Sequence, residues 1–467
     1  MGAHSHVLIF PLPLQGPINS MLKLAEMLCL RQIKVTFIIT QHIQRRLFDS
    51  STIQTYMTTK YGDAFSFQAI PDGLPEEHPR TIREFSELLG SLSAVAPLIL
   101  HQTVSVWEIS CIVAEGILSF ATDIATQIGV PLFYFDTCSA SALWAIMCLP
   151  QLIQAGELPF KDDNLDEIIR NAPGMEGVMR RRDLPSFCRD INLEDLEVKL
   201  LLKQARLMPL SQGIILNTFH QLDAPLLSHM LKLFPNIYAI GPLHALLQTQ
   251  ASQNSSSSIL PEDMSCISWL DKQPSQSVVY VSIGSLALMT KDQFLEFWFG
   301  LVNSGMRFLL VQRPGSVAGL DDGIPVELLE ATRERGYVVS WVPQQEVLDH
   351  PAVGGFLSHC GWNSILESLV AGKPMICWPH HFDQQVNSRY VGEVWKVGLD
   401  MKDSCDRVVV EKMVREVMEL RKDEFLKRAR KLSEAARGSV GEGGSSAKDL
   451  DRFIDDIKNM MFFPKQN

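Results

Sequence analysis

The sequence predicts an α/β protein of two doubly wound, Rossmann-like domains, and three observations predict it. Short apolar runs, long enough for buried parallel strands, alternate with segments of helical period in both halves of the chain. A Gln-, Ser- and Asn-rich stretch, Leu246–Pro261 with four consecutive serines at Ser255–Ser258, separates those halves. At 467 residues, 46% of them hydrophobic, the chain exceeds what one ordinary core organises. The expected organisation is residues 1–245 as a first domain, 246–261 as linker, 262–444 as a second domain and 445–467 as a terminal helical segment.

The elements justify that reading in order. Val7-Leu8-Ile9-Phe10 reads as a buried strand, Pro11–Gly16 as a turn, and Ile18, Met21, Leu22, Ala25 and Leu28 recur at helical spacing. Val35–Thr40 is the next strand, and strand–helix–strand with no hairpin implies a βαβ unit and a parallel sheet. The alternation continues through Ile112–Ala114, a helix over Ser119–Ile128, Pro131–Phe135, Gly213–Asn217 and Tyr238–Pro242. Arg180-Arg181-Arg182-Asp183 offers a basic run, read as a solvated loop because acids offset it. The second half repeats the scheme with Ser277–Ile283, Phe308–Gln312 and Val338–Trp341. Gly355–Leu357 and Met375–Trp378 supply two more strands, and an amphipathic helix closes the chain from about Ala447 to Met461. Ligands are expected in the cleft outside the carboxyl ends of the strands.

Composition excludes several function classes. A net charge of −11 gives no footprint for nucleic acid or an anionic membrane. Nine cysteines without CxxC pairs argue for reduced thiols, hence a cytoplasmic setting, and against a zinc site. The first residues lack a basic region and their apolar run is broken by Pro11 and Pro13, which reads as a first strand. No apolar run reaches the roughly 18 residues of a membrane span. The chain is expected to be a monomer.

The most informative stretch is Trp341–Gln384. Strand, turn, helix, Gly stop and strand follow one another there, with Ser358-His359-Cys360-Gly361-Trp362-Asn363-Ser364 at the turn. A helix starting near Gly361 aims free N–H groups and its positive end at the turn, which suits a phosphate. His359 and Ser364 add donors, Trp341 offers a flat face for a base, and Asp383 and Gln384 follow the next strand at the same sheet edge.

This stretch resembles the signature box of plant secondary-product UDP-glycosyltransferases, with about a dozen typed positions at their spacing. The resemblance covers essentially the whole chain and implies the GT-B architecture, with the last helix crossing back onto the first domain. It implies UDP-glucose as co-substrate, with no other cofactor and no metal. By resemblance, Trp341 stacks on uracil, Val342 and Gln344 pair with its edge and Glu367 takes the ribose hydroxyls. His359, Gly361, Trp362, Asn363 and Ser364 hold the diphosphate, joined by Ser285, while Asp383 and Gln384 face the sugar. The segments Pro71–Pro75, Arg180–Pro185 and Gly213–Thr218 also resemble the iridoid (7-deoxyloganetic acid) glucosyltransferase branch, which suggests a terpenoid, phenolic or carboxylic acid acceptor.

The acceptor side departs from the family. Its members carry a His in Gln-Gly-His-Ile/Val-Asn, where this chain has Gln15-Gly16-Pro17-Ile18-Asn19, and the partner Asp corresponds to Glu115. Three readings follow: an already anionic acceptor that needs no base, a replacement base, or a scaffold that binds UDP-sugars without transferring them. Glu115 is the first candidate base, with Asp136, His380 and His381 behind it and Asp383 at the sugar. Pro17, Phe120, Asp136, Trp144 and His381 are the expected acceptor-side residues.

Overall fold

A computed structural model describes residues 5–50, 53–104, 108–250, 262–284, 288–318 and 325–460. The first half forms one parallel sheet of seven strands: β1 His6–Phe10, β2 Lys34–Thr40, β3 Phe65–Ile70, β4 Cys111–Glu115, β5 Leu132–Asp136, β6 Gly213–Leu216 and β7 Ile237–Ala239. Their spatial order is β3-β2-β1-β4-β5-β6-β7. β1, β4 and β5 are buried at every residue, which is why they read as continuous apolar runs rather than alternating ones.

The second half contains β8 Val278–Ser282, β9 Met289–Thr290, β10 Arg307–Val311, β11 Val317–Ala318, β12 Gly336–Val339, β13 Val353–Ser358, β14 Met375–Cys377 and β15 Gly398–Asp400. Six of these make a parallel sheet in the order β12-β10-β8-β13-β14-β15, and β9 pairs with β11 beside it. Each sheet reverses its winding once: between β1 and β4 in the first, and between β8 and β13 in the second. Such reversals open a crevice at the carboxyl ends of the flanking strands. Pro17, on the helix after β1, and Glu115, ending β4, flank the first crevice. Gly284 and His359, following β8 and β13, flank the second.

Leu246–Gln250, expected in the linker, instead complete a helix, Leu243–Gln250, because Leu246 and Leu247 are buried against the core. The rest of the expected linker falls outside the described residues, apart from its flank at Glu262. The final helix, Ser445–Asn459, lies on the first sheet. Leu450, Phe453, Ile454 and Ile457 face inward, with the Phe453 ring 5.2 Å from Phe133 and 5.0 Å from Tyr238. Burying one such ring contributes about 1.5–3 kcal/mol. Asp449 accepts the Ala239 backbone N–H at 3.0 Å and Asp456 accepts the Tyr238 hydroxyl at 2.6 Å.

The Arg180–Asp183 run is not a solvated loop. Asp183 is fully buried and receives Arg180 Nε at 2.8 Å, Lys402 Nζ at 2.9 Å and Arg389 Nε at 3.3 Å. Burial opposes the charge on Asp183, but Arg180 and Lys402 outweigh it and hold the carboxyl below its ordinary range. Arg182 and Arg189 both reach Asp403. Charges that balance along the sequence were therefore matched across space, between the loop of one half and the second sheet's flank. The same loop meets the second half through Ser186, whose N–H donates to Phe382 O and whose hydroxyl accepts the Phe382 N–H.

Candidate active site

A cavity of about 790 Å³ lies between the two sheets and is lined from both. Its second-domain wall carries Trp341, Val342, Gln344, His359, Gly361, Trp362, Asn363, Ser364, Glu367, Asp383 and Gln384. All were expected there from the sequence. Ser285, expected beside them, lies outside the described residues.

The helix Trp362–Ala371 starts at Gly361 with no side-chain cap, so its first N–H groups face the cavity. His359 is wedged between two glycines: a Cβ at Gly284, whose φ is +77°, would lie 2.5 Å from Nε2, and a Cβ at Gly361 would also collide with the ring. Burial pushes the His359 pKa down to about 4, so at pH 7 the ring is neutral and has one N–H to give. A hydrogen bond with the Ser282 backbone opposes that shift without cancelling it. Glu367 accepts Gln344 Nε2 at 2.7 Å and Gln345 Nε2 at 3.1 Å, while Gln344 also donates to Ser364 Oγ at 2.9 Å. Those bonds fix the carboxylate rather than consume it, since it has about four acceptor positions.

Three side chains of this wall spend polar groups on protein contacts. Asn363 does not point its amide at a diphosphate. It donates to Gly16 O at 3.2 Å and accepts Ser20 Oγ at 2.9 Å, clamping the first domain's opening helix against the second domain. The Trp362 indole likewise donates to Asn217 O at 2.8 Å. Their backbone N–H groups remain at the helix start. Gln384 accepts the N–H groups of His380 and His381 at 2.8 and 3.1 Å, so its oxygen orders the loop ahead of it.

On the first-domain wall, Pro17 lines the cavity as the third residue of helix Gln15–Leu30, not the first. Its missing N–H still costs nothing, because the first intrahelical bond is donated by Ile18, to Leu14 O at 3.1 Å. Glu115 and Asp136 end the paired strands β4 and β5, and both line the cavity. Burial, then the neighbouring Asp136, pushes the Glu115 pKa up to about 8. Burial also raises Asp136, against hydrogen bonds that favour its anion: Cys138 N at 3.2 Å, Cys138 Sγ at 2.6 Å and Gln204 Nε2 at 2.9 Å. Glu115 Oε2 accepts the Ile117 N–H at 3.0 Å, Oε1 meets Thr137 Oγ1 at 3.4 Å, and the Thr137 backbone N–H also favours the anion, all against the upward shift. Across the cleft, burial pushes Asp383 up to about 6, with Asn387 donating to it at 2.7 Å and Asp136 adding to the upward shift.

Phe120 and Trp144 do not line the cavity. Phe120 is buried with its ring 5.7 Å from Phe10, and Trp144 is core, donating from Nε1 to Pro173 O at 2.6 Å. Phe120 lies on the buried face of an amphipathic helix, Phe120–Ile128, and Trp144 on a largely apolar one, Ala140–Met147, and in neither does the local pattern distinguish pocket from core. His381 also lies off the lining. His380 is buried beside Trp378, its ring 4.5 Å away, and burial holds it neutral with a pKa of about 3. Neither histidine stands in for the absent one.

Lining residues that the sequence did not single out are Leu12, Phe85, Ile146, Phe187, Leu201 and Phe382, an apolar surround for an acceptor, with Glu197 and Gln204 among them. Most come from segments distant in sequence, whose only signal was ordinary helical periodicity. Lys23 is the exception: it follows Asn19 and Ser20 at helical spacing and could have been placed on the cleft face. Among the described residues no group of three or more His, Cys, Asp or Glu could hold a metal ion.

Comparison with known proteins gives the same picture. The family described as UDP-glucoronosyl and UDP-glucosyl transferase matches residues 204–434. A 7-deoxyloganetic acid glucosyltransferase of Catharanthus roseus is 48% identical, covering 98% of each chain. A myricetin 3-O-rhamnoside 1,2-glucosyltransferase of Crocosmia x crocosmiiflora is 42% identical over 98% of this chain and 97% of its own. Among solved structures, Os79 from O. sativa in complex with UDP superposes with a TM-score of 0.82 at 28% identity, covering 97% of this chain and all of that one.

Proposed function

Because this chain belongs to the plant UDP-glycosyltransferases, we propose that it transfers glucose from UDP-glucose to a hydroxyl of a small terpenoid, with Glu115 as the general base. The observation that carries the proposal is the Glu115–Asp136 pair, buried at the crevice where the family's histidine is missing. A base works best with a pKa near the working pH, and Glu115 at about 8 meets that condition where an ordinary carboxylate does not. Asp136, whose anion the bonds from Cys138 and Gln204 favour against burial, raises the proton affinity of Glu115 from the neighbouring strand end.

The reaction is a single in-line displacement with inversion. The acceptor oxygen attacks the anomeric carbon while its proton passes to Glu115. The bond from that carbon to the diphosphate oxygen breaks, and UDP leaves with the electron pair. N–H groups at the start of helix Trp362–Ala371 and the neutral His359 donate to the oxygens that gain charge. Asp383 and Gln384 hold the glucose hydroxyls, Trp341 stacks on uracil, and Val342, Gln344 and Glu367 bind the uridine edge and ribose.

The acceptor half supports a neutral nucleophile. Glu115, Asp136, Glu197 and Asp383 line the cavity, and Lys23 is its one Lys or Arg among the described residues. An acceptor carboxylate as nucleophile would meet like charge there. The apolar surround fits a terpenoid, in line with the acceptor named for the Catharanthus relative. No helix among the described residues is long and apolar enough to cross a membrane. All nine cysteines are free, which fits the reducing setting of a cytoplasmic enzyme, and we take the protein to act on small molecules as a monomer. UDP-glucose turnover against a panel of monoterpenoid alcohols, phenols and acids lacking a hydroxyl tests the proposal. Transfer to alcohols supports it. Transfer confined to carboxylates sinks the base assignment, and UDP-glucose binding without any turnover means a UDP-sugar-binding scaffold.

A further inference from the structure

We propose that Lys23, on the first domain's opening helix, supplies the cationic contact to the diphosphate of UDP-glucose from across the cleft. The inference rests on the donor site proposed above and adds a ligand contact from the opposite domain.

The cavity carries eight carboxyl side chains, and Lys23 is the only Lys or Arg on its lining among the described residues. A nucleoside diphosphate brings at least two negative charges into that surround. His359 is neutral, so the second-domain wall offers dipoles and N–H groups to the phosphates but no formal charge from that ring. Recruitment of a dianion to an acidic cleft calls for a positive side chain, and one is present at the appropriate height.

That height follows from the pairing of two helices. Ser20 Oγ donates to Asn363 Oδ1 at 2.9 Å and Asn363 Nδ2 to Gly16 O at 3.2 Å, which ties the start of Gln15–Leu30 to the start of Trp362–Ala371. Lys23 lies three residues beyond Ser20 and Glu367 four beyond Asn363, so each sits about one turn along its own helix on the face that meets the cleft. Lys23 and Glu367 line the same cavity as that helix start, the region proposed for the diphosphate and ribose. Lys23 Nζ is 3.4 Å from Asn19 O, and it is within electrostatic range of Glu367. Burial disfavours the ammonium, while Glu367 and Glu26 favour it. An arriving diphosphate favours it further, so ligand and lysine stabilise each other's charge.

The test is calorimetric titration of wild type, Lys23→Gln, Lys23→Met and Lys23→Arg with UDP, UMP and uridine. Lys23→Gln should weaken UDP by about 10- to 100-fold, the range for a charge-assisted hydrogen bond, with uridine held within about twofold. Lys23→Met retains the buried stem, should show the same loss, and carries the test if Lys23→Gln folds poorly; Lys23→Arg should recover most of the UDP affinity. The loss for UMP should fall between those for UDP and uridine. Unchanged UDP affinity in both neutral variants overturns the proposal. So does an equal loss for UDP and uridine, which would mean that Lys23 only orders Glu367 and the ribose end. Failure of wild type to bind UDP at all would instead overturn the donor site itself.

Discussion

The two walls of the cleft occupy equivalent places in their sheets, yet they do chemistry by opposite means. Each stands at the carboxyl ends of the strands where winding reverses, β8 and β13 on one side, β1 and β4 on the other. The second-domain wall works with neutral donors: a helix start, a histidine kept uncharged by burial, and amides that brace Glu367. The first-domain wall works with carboxyls, Glu115 and Asp136, whose proton affinity is raised by burial and, for Glu115, by the neighbouring Asp136 as well. Stabilising charge on a leaving group needs fixed dipoles, whereas removing a proton needs a titrating group. The difference between the walls is a division of that labour.

The largest expected effect comes from breaking the first wall's chemistry alone. Glu115→Gln should lower kcat by about 10²–10⁴-fold, the usual contribution of a general base, with UDP-glucose affinity unchanged by calorimetry. Retained turnover would remove Glu115 from the mechanism and leave the two walls without the proposed contrast.

Next is the joint between the walls. Asp183→Asn leaves Arg180, Arg389 and Lys402 facing one another around a buried site. Breaking a buried ion pair from one side costs about 3–5 kcal/mol, which a denaturant titration will resolve as a lower midpoint. An unchanged midpoint would mean that the loop at Arg180–Arg189 contributes little to holding the second domain.

Smaller effects should separate parts of the second wall. His359→Ala removes a hydrogen bond to a charged group and should weaken UDP and UDP-glucose alike, by about 10- to 100-fold. Gln384→Ala should weaken UDP-glucose by about 2- to 10-fold and leave UDP unchanged, since only the sugar loses a partner. Equal losses for both ligands in the Gln384 variant would mean that its bonds to His380 and His381 N–H matter more than the sugar.

How much was legible in the sequence also divides along the cleft. The donor wall is contiguous from Trp341 to Gln384, so strand, turn and helix signals could be read together with the side chains they carry. Even there, Asn363 and Trp362 turn their polar groups to Gly16 and Asn217, contacts that depend on the docking of the other half. The strands themselves were plain, because burial on both faces makes them uniformly apolar. The acceptor wall gathers Phe85, Glu115, Ile146, Leu201 and Phe382 from five separated segments. Phe120 and Trp144 show the cost: a buried aromatic on an apolar helix carries no local mark of whether a cavity or a core lies beside it. Leu246–Gln250 reads as linker from its polar neighbours, whereas the burial of Leu246 and Leu247 carries the helix from Leu243 on to Gln250.

The central claim is that a carboxyl with a raised proton affinity replaces the imidazole, and the pH profile of kcat/KM with a terpenoid alcohol tests it most directly. As a base, Glu115 acts when deprotonated, so kcat/KM should climb as pH rises and level off above about 8. In Asp136→Asn the neighbouring charge is gone, and the midpoint should fall to lower pH. A profile flat from pH 6 to 9, or a midpoint that Asp136→Asn leaves in place, would contradict the account.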